Sequence, residues 1–177
     1  LLKVIRRATF LAVFACLALQ ASAEQHPGLG KQISAEDAAA RGFTVLPDGT
    51  GLPPGTGTVA EGEALYATHC GSCHGDDGQG GPNDRIVGGV GSLGSEQPAK
   101  TVGSYWPHAT TVFYYVRRAM PYASPGSLSN DEVYALTAYV LHMNGILERK
   151  VSLDAASLPD IEMPNHAGFE WVVSPGQ

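Results

Sequence analysis

Cysteine is nearly absent: the 177 residues contain three, Cys16, Cys70 and Cys73. Cys16 lies in an apolar N-terminal run, so the remaining chain keeps two thiols three positions apart. That excludes a disulfide framework, and it leaves too few ligands for zinc, which takes about four, typically as two Cys/His pairs. Basic residues are also scarce, 11 Lys and Arg against 17 Asp and Glu, and none of them cluster beyond the first few positions. An acidic surface of this kind repels nucleic acid and anionic membranes. Long apolar runs are missing too: the stretch from Ala8 to Leu19 falls short of the roughly 20 residues that span a bilayer. No internal repeat is visible.

The N-terminal stretch has the layout of an export signal. Lys3, Arg6 and Arg7 precede the apolar run, and Ala21-Ser22-Ala23 supplies an A-x-A cleavage site, which predicts a signal peptide over residues 1–23. Phe14 before Cys16 and Leu17-Ala18-Leu19 after it argue against a lipid-modified cysteine. Cleavage after Ala23 leaves 154 residues; taking Lys3, Arg6 and Arg7 from the 11 cations leaves 8 against 17 acids, a net charge of −9. The expected product is periplasmic, not stably inserted in a membrane, and suited to docking on a positively charged patch of a protein partner.

The length allows one core with arms. Residues 24–58 are rich in Gly and Pro and read as an extended N-terminal arm, interrupted by a short helix from Ala35 to Arg41 with Ser34 as N-cap and Gly42 beyond its end. A domain over residues 59–147 opens with Ala60, Ala64, Leu65 and Ala67 at helical spacing up to Cys70. Between Gly75 and Gly94 glycine is too dense for regular structure, which predicts a loop laid over a flat apolar object. A second helix is predicted from Pro107, carrying Val112, Phe113, Val116 and Ala119, and ending near Met120 because Pro121 disfavours helical geometry before it. The last helix is written most clearly: Ser129 and Glu132 form a capping box, Leu128 and Val133 a hydrophobic staple, and Asn144-Gly145 the stop. Residues 148–177, with Pro159, Pro164 and Pro175, read as a C-terminal arm wrapped over the core or a partner.

Cys70-Gly71-Ser72-Cys73-His74 is the C-x-x-C-H pattern of covalent haem attachment. Residues three and four apart share one face of a helical turn, so two sulfurs can bond one porphyrin while His74 points at its iron. A redox dithiol is the competing reading. It expects a strand-helix-strand setting, whereas Cys70 and Cys73 lie between a helical segment and a Gly-rich loop. The sixth iron ligand decides the chemistry: a Met raises the reduction potential and closes the iron, while an open position permits catalysis. Met120, at a helix end before Pro121, is the leading candidate; Met163, Met143, His108 and His142 are the alternatives. His26, His69 and His166 are read as surface residues. Tyr105 and Trp106 are candidate hydrogen-bond donors to the haem carboxylates, Arg85 a candidate counter-charge, and Pro82 or a neighbouring carbonyl a candidate acceptor for the His74 ring N–H.

With these residues in view, the segment from Val59 to Leu147 resembles the class I cytochromes c. Gly62 and Tyr66, and Leu136 and Tyr139, sit at the spacing of that family's crossed N- and C-terminal helices. The resemblance implies an all-α fold, the class I cytochrome c fold around one covalently bound haem c, with extended N- and C-terminal arms. A narrower likeness is carried by Lys100-Thr101-Val102-Gly103-Ser104-Tyr105-Trp106-Pro107, by Arg117-Arg118-Ala119-Met120-Pro121, by the run from Leu128 to Ala135, by Pro47 to Gly55 and by Met163-Pro164-Asn165. These blocks are similar to the cytochrome subunit of bacterial sulfite dehydrogenases and of the sulfur dehydrogenase of the thiosulfate-oxidising system. That likeness implies a molybdenum-cofactor dehydrogenase subunit as electron donor and a cytochrome or oxidase as acceptor. Larger members carry two haem domains, and this chain has one C-x-x-C-H. The expected function is electron transfer, with no catalysis by this chain itself. The alternatives are a free periplasmic shuttle to a terminal oxidase, and a haem enzyme or sensor with an open axial position.

Overall fold

A computed structural model describes residues 30–37 and 42–170; the expected signal peptide over residues 1–23 lies outside the described residues. The described residues from Phe43 onward form one compact unit, and those before it belong to another. In that first unit residues 35–37 are helical, and the Asp37 amide donates to Ser34 Oγ at 3.0 Å, as the expected N-cap requires. The rest of the expected helix lies outside the described residues.

The second unit is built on helices. Thr58 caps the first, α1 (Val59–His69): its hydroxyl accepts from the Glu61 amide while the Glu61 carboxylate accepts from the Thr58 amide. This reciprocal pair satisfies two amides that the first turn leaves without partners. A short turn, α2 (Gly71–His74), follows directly. Then comes a long irregular stretch, broken by one 3₁₀ turn at Ser92–Gly94, which leads to α3 (Ala109–Ala119). The final helix, α4 (Asn130–Met143), begins at the Ser129–Glu132 capping box and ends at Asn144, with Gly145 at φ +71°, as read from the sequence.

α3 starts two residues later than Pro107 suggested. His108 holds extended backbone (φ −137°, ψ 133°) and takes the N-cap position, which leaves Pro107 in the bend before it.

α1 and α4 cross at close range. A Cβ at Gly62 would lie 1.9 Å from the Ala135 carbonyl oxygen and 2.7 Å from Tyr139 Cβ, so only glycine lets the two backbones approach this far. The Tyr66 and Tyr139 rings meet beside the crossing at 5.4 Å between centroids. Tyr66, Phe113, Val133, Tyr134, Leu136 and Leu141 are nearly or wholly buried around it.

The sequence read the N-terminal flank as an extended arm and the C-terminal one as an arm wrapped over the core or a partner; from Phe43 onward both are folded against residues 59–147. On the N-terminal side Phe43, Val45 and Leu52 pack on the core. On the C-terminal side Leu153, Leu158 and Met163 are 0 %, 0 % and 2 % exposed. A two-stranded antiparallel ribbon joins them, β1 (Thr56–Thr58) to β2 (Ser152–Asp154), with Gly57 opposite Leu153. Tyr134 Oη donates to the Pro53 carbonyl at 2.8 Å and Asn130 Nδ2 to the Pro54 carbonyl at 2.9 Å, which fastens the N-terminal flank to α4. Arg117 lies over the Phe43 ring at 4.7 Å, and Arg118 donates to the Phe43 carbonyl. The flanks are therefore part of the folded body of this unit.

Among the described residues no helix is long and apolar enough to cross a membrane.

Candidate haem site

Cys70 and Cys73 sit where α1 gives way to α2. The amides of Cys73 and His74 both donate to the Cys70 carbonyl, at 3.1 and 3.0 Å, which winds the three residues into one turn. The turn ends at Gly75 (φ +81°), a conformation that side chains other than glycine's adopt at a steric cost. Tyr66 Oη donates to the Gly75 carbonyl at 2.9 Å and the Asn83 amide to the Cys73 carbonyl at 3.0 Å, so helix and loop hold the turn from both sides.

Both cysteines are half-buried and unpaired. Burial, followed by the charge of Cys73, pushes the Cys70 thiol up to about 11. That upward direction is the opposite of the lowered pKa that a redox dithiol uses. Among the described residues no group of three or more His, Cys, Asp or Glu is arranged to hold a metal ion, so zinc finds no cage here.

His74 Nδ1 lies 2.8 Å from the Asp84 carbonyl oxygen. A carbonyl can only accept, so Nδ1 carries the proton and the Nε2 lone pair is left for a metal. The acceptor is a neighbour of Pro82 in the Gly-rich loop, within the range the sequence suggested. Reading the sequence did not single out Asp84, because any residue supplies a backbone carbonyl.

These groups border a cavity of about 550 Å³, inside the range of roughly 300–1,000 Å³ typical of cofactor pockets. Val112 and Val116 from α3, Leu136 and Val140 from α4, and Leu128 form an apolar wall. Cys70, Cys73 and His74 line the cavity, and so does Met120, which directly follows α3. The other candidate sulfurs sit elsewhere: Met163 is buried in the core, and Met143 packs against that core. Neither belongs to the cavity lining, nor do His108 and His142. His108 faces the His166 ring at 5.6 Å, and His142 Nδ1 contacts the Leu147 carbonyl at 2.8 Å. Two thiols on one turn, a histidine with a free Nε2, one thioether and apolar walls are the donor set and lining that a covalently bound haem needs, so the residues present fit that group.

Trp106 and Arg85, two of the candidates for the haem carboxylates, line the same cavity. Trp106 stands edge-on to Tyr115 with 5.5 Å between ring centroids. Tyr105 is not among the lining residues; its ring packs edge-on against Phe169 at 5.3 Å. Lys100, which the sequence reading left unassigned, lines the cavity instead. Its signal was present: it is the only lysine between residues 59 and 147, five positions before the Tyr105-Trp106 pair. His69, read as a surface residue, is exposed and also borders the cavity. Tyr115 and Tyr122 do the same, at 47 % and 85 % exposure.

Residues 59–144 match the family model for cytochrome c. A chain in the crystal structure of the sulfane dehydrogenase SoxCD from Paracoccus pantotrophus is 44 % identical, with a TM-score of 0.75; the likeness covers 82 % of this chain and 72 % of that one. A thiosulfate dehydrogenase from Stutzerimonas stutzeri is 32 % identical over 89 residues, which is 50 % of this chain and 28 % of that protein. The match thus spans less than a third of that relative's length. The helical architecture, the C-x-x-C-H turn facing an apolar cavity, and these likenesses agree: the chain belongs to the cytochrome c family, whose members carry covalent haem c and transfer electrons.

Proposed function

We propose that this chain is a periplasmic cytochrome with one haem, which accepts single electrons from a molybdenum-containing dehydrogenase acting on a sulfur compound and passes them to a cytochrome or oxidase. One observation carries the electron-transfer part: His74 and Met120 line the same cavity as Cys70 and Cys73. In this reading Cys70 and Cys73 would hold the haem covalently through two thioethers, and His74 and Met120 would be the side chains that bind its iron. The bound haem supplies a one-electron iron couple. The chain's residues keep that couple closed and rigid. The Asp84 carbonyl fixes the His74 ring, Met120 is positioned by the end of α3, and the wall from Val112 to Val140 excludes water. With His74 and Met120 both engaged in holding the haem, the site would offer a substrate no open place, which favours a carrier over a haem enzyme.

The donor is inferred from likeness. The 44 %-identical neighbour is part of a sulfane dehydrogenase, and the likeness reaches well beyond residues 59–144 into the packed flanks. The experiment is purification of the native complex from the source cells, followed by metal analysis and addition of sulfite or thiosulfate. The expected result is a complex with molybdenum and haem in fixed ratio, whose haem is reduced when the sulfur compound is added. A chain that purifies alone, and stays oxidised with that substrate in fresh extract, favours the free-shuttle reading and overturns the subunit assignment.

A further inference from the structure

We propose that Lys100 is the cation that meets a haem carboxylate, and that Tyr105 acts one step back, as the residue that positions Lys100 on behalf of the C-terminal flank. The inference rests on the haem reading above and adds the charge at the edge of that site.

Haem carries two carboxylates, and carboxylates bordering a partly apolar cavity need counter-charges or donors. Four cations lie between residues 59 and 147: Arg85, Lys100, Arg117 and Arg118. Arg117 is engaged with Asn130 and the Phe43 ring, and Arg118 with the Phe43 carbonyl. Only Arg85 and Lys100 of the four line the cavity.

A lysine on a flexible stem does not by itself hold one position. Here Lys100 Nζ stands over the Tyr105 ring, 5.0 Å from its centroid, a placement favoured by the electron-rich ring face. Tyr105 is held in turn by the C-terminal flank. Phe169 packs edge-on against its ring, and Asn165 Nδ2 donates to its carbonyl at 2.8 Å. The backbone between Lys100 and Tyr105 is fixed as well. Thr101 and Ser104, both buried, bond each other's amides, and Ser104 Oγ also donates to the Ala99 carbonyl. A route of contacts thus runs from residues 165–169 through Tyr105 to Lys100 at the cavity. It gives the flank a place in setting the reduction potential.

The sign follows from charge. Reduction adds one electron at the haem, so a nearby cation favours the reduced state and its removal lowers the potential. The test is spectroelectrochemical titration of the full haem-loaded protein. Lys100→Gln is expected to shift the redox equilibrium about tenfold toward oxidised, about 59 mV for one electron, while Lys100→Arg retains most of the native value. Lys100→Met, which keeps an apolar stem, replaces Lys100→Gln if that variant folds poorly. Tyr105→Phe keeps the ring face and leaves the potential unchanged. Tyr105→Leu reproduces part of the fall, and adds nothing further in the Lys100→Gln background. An unmoved potential in Lys100→Gln overturns the assignment of Lys100, and so does an equal fall in Lys100→Arg. Additive effects of the two sites overturn the positioning role of Tyr105. The visible spectrum keeps the two proposals apart: a wild-type chain without attached haem defeats the haem reading, whereas a normal spectrum with an unmoved potential defeats only this one.

Discussion

Met120→Ala is expected to lower the reduction potential by on the order of 0.2 V, a sizeable part of the roughly 0.8 V span that axial ligation controls, and to open the iron to added ligands such as imidazole or cyanide. The direction follows from the ligand: a thioether favours the reduced iron more than water or a nitrogen donor does. The choice of Met120 rests on position. It borders the cavity that holds His74, while Met163 is enclosed in the core and Met143 packs against it. Redox titration and visible spectra check it. If both stay native in Met120→Ala, the sixth ligand is another residue. The side chain borders the cavity at the end of α3, outside the α1–α4 crossing, so its loss is expected to leave the fold in place.

Gly62→Val is expected to cost about 3 kcal/mol or more in stability, at the upper end for overpacked positions. A mid-helix glycine already costs about 1 kcal/mol relative to alanine, so propensity alone favours replacing it. The crossing decides otherwise. A Cβ there meets the Ala135 carbonyl oxygen at 1.9 Å and Tyr139 Cβ at 2.7 Å, and α4 must move bodily to admit it. Since Tyr66, Leu136 and Val140 line the haem cavity from these two helices, the displacement also loosens the site. Urea denaturation of the haem-loaded variant gives the midpoint. A midpoint equal to wild type means that α1 and α4 are not locked at this contact.

The parts of this structure that were legible in the sequence are those with a local code. Thr58 and Ser129 each stand three positions before a Glu, and both form capping boxes, although the sequence reading used only the second. The C-x-x-C-H turn needs one helical turn and obtains it. The loop over the cavity follows from its glycines. What escaped was long-range or made by backbone. β1 and β2 are three residues each and pair across almost a hundred positions, so neither has an alternating pattern long enough to read. Leu153, Leu158 and Met163 are buried at irregular spacing between turns, which hides their role from any test of periodicity. The N-terminal flank consequently reads as an extended arm although it is packed from Phe43 onward, and for the C-terminal one the sequence left open whether the core or a partner receives it. Lys100 and Tyr105 show the same limit in the site. Sequence offered Tyr105 and Trp106 alike as donors to the haem carboxylates, whereas neighbouring positions in this loop turn Trp106 toward the cavity and Tyr105 toward Phe169.

Everything about the site depends on one iron porphyrin joined to this chain through two carbon–sulfur bonds. The direct measurement is the intact mass of the purified, denatured protein, with a visible spectrum of the same sample. One haem added to the polypeptide mass, with colour that stays with the protein after acid and organic solvent, is the predicted result. A colourless chain, two free thiols, or a pigment that extracts on denaturation contradicts the account.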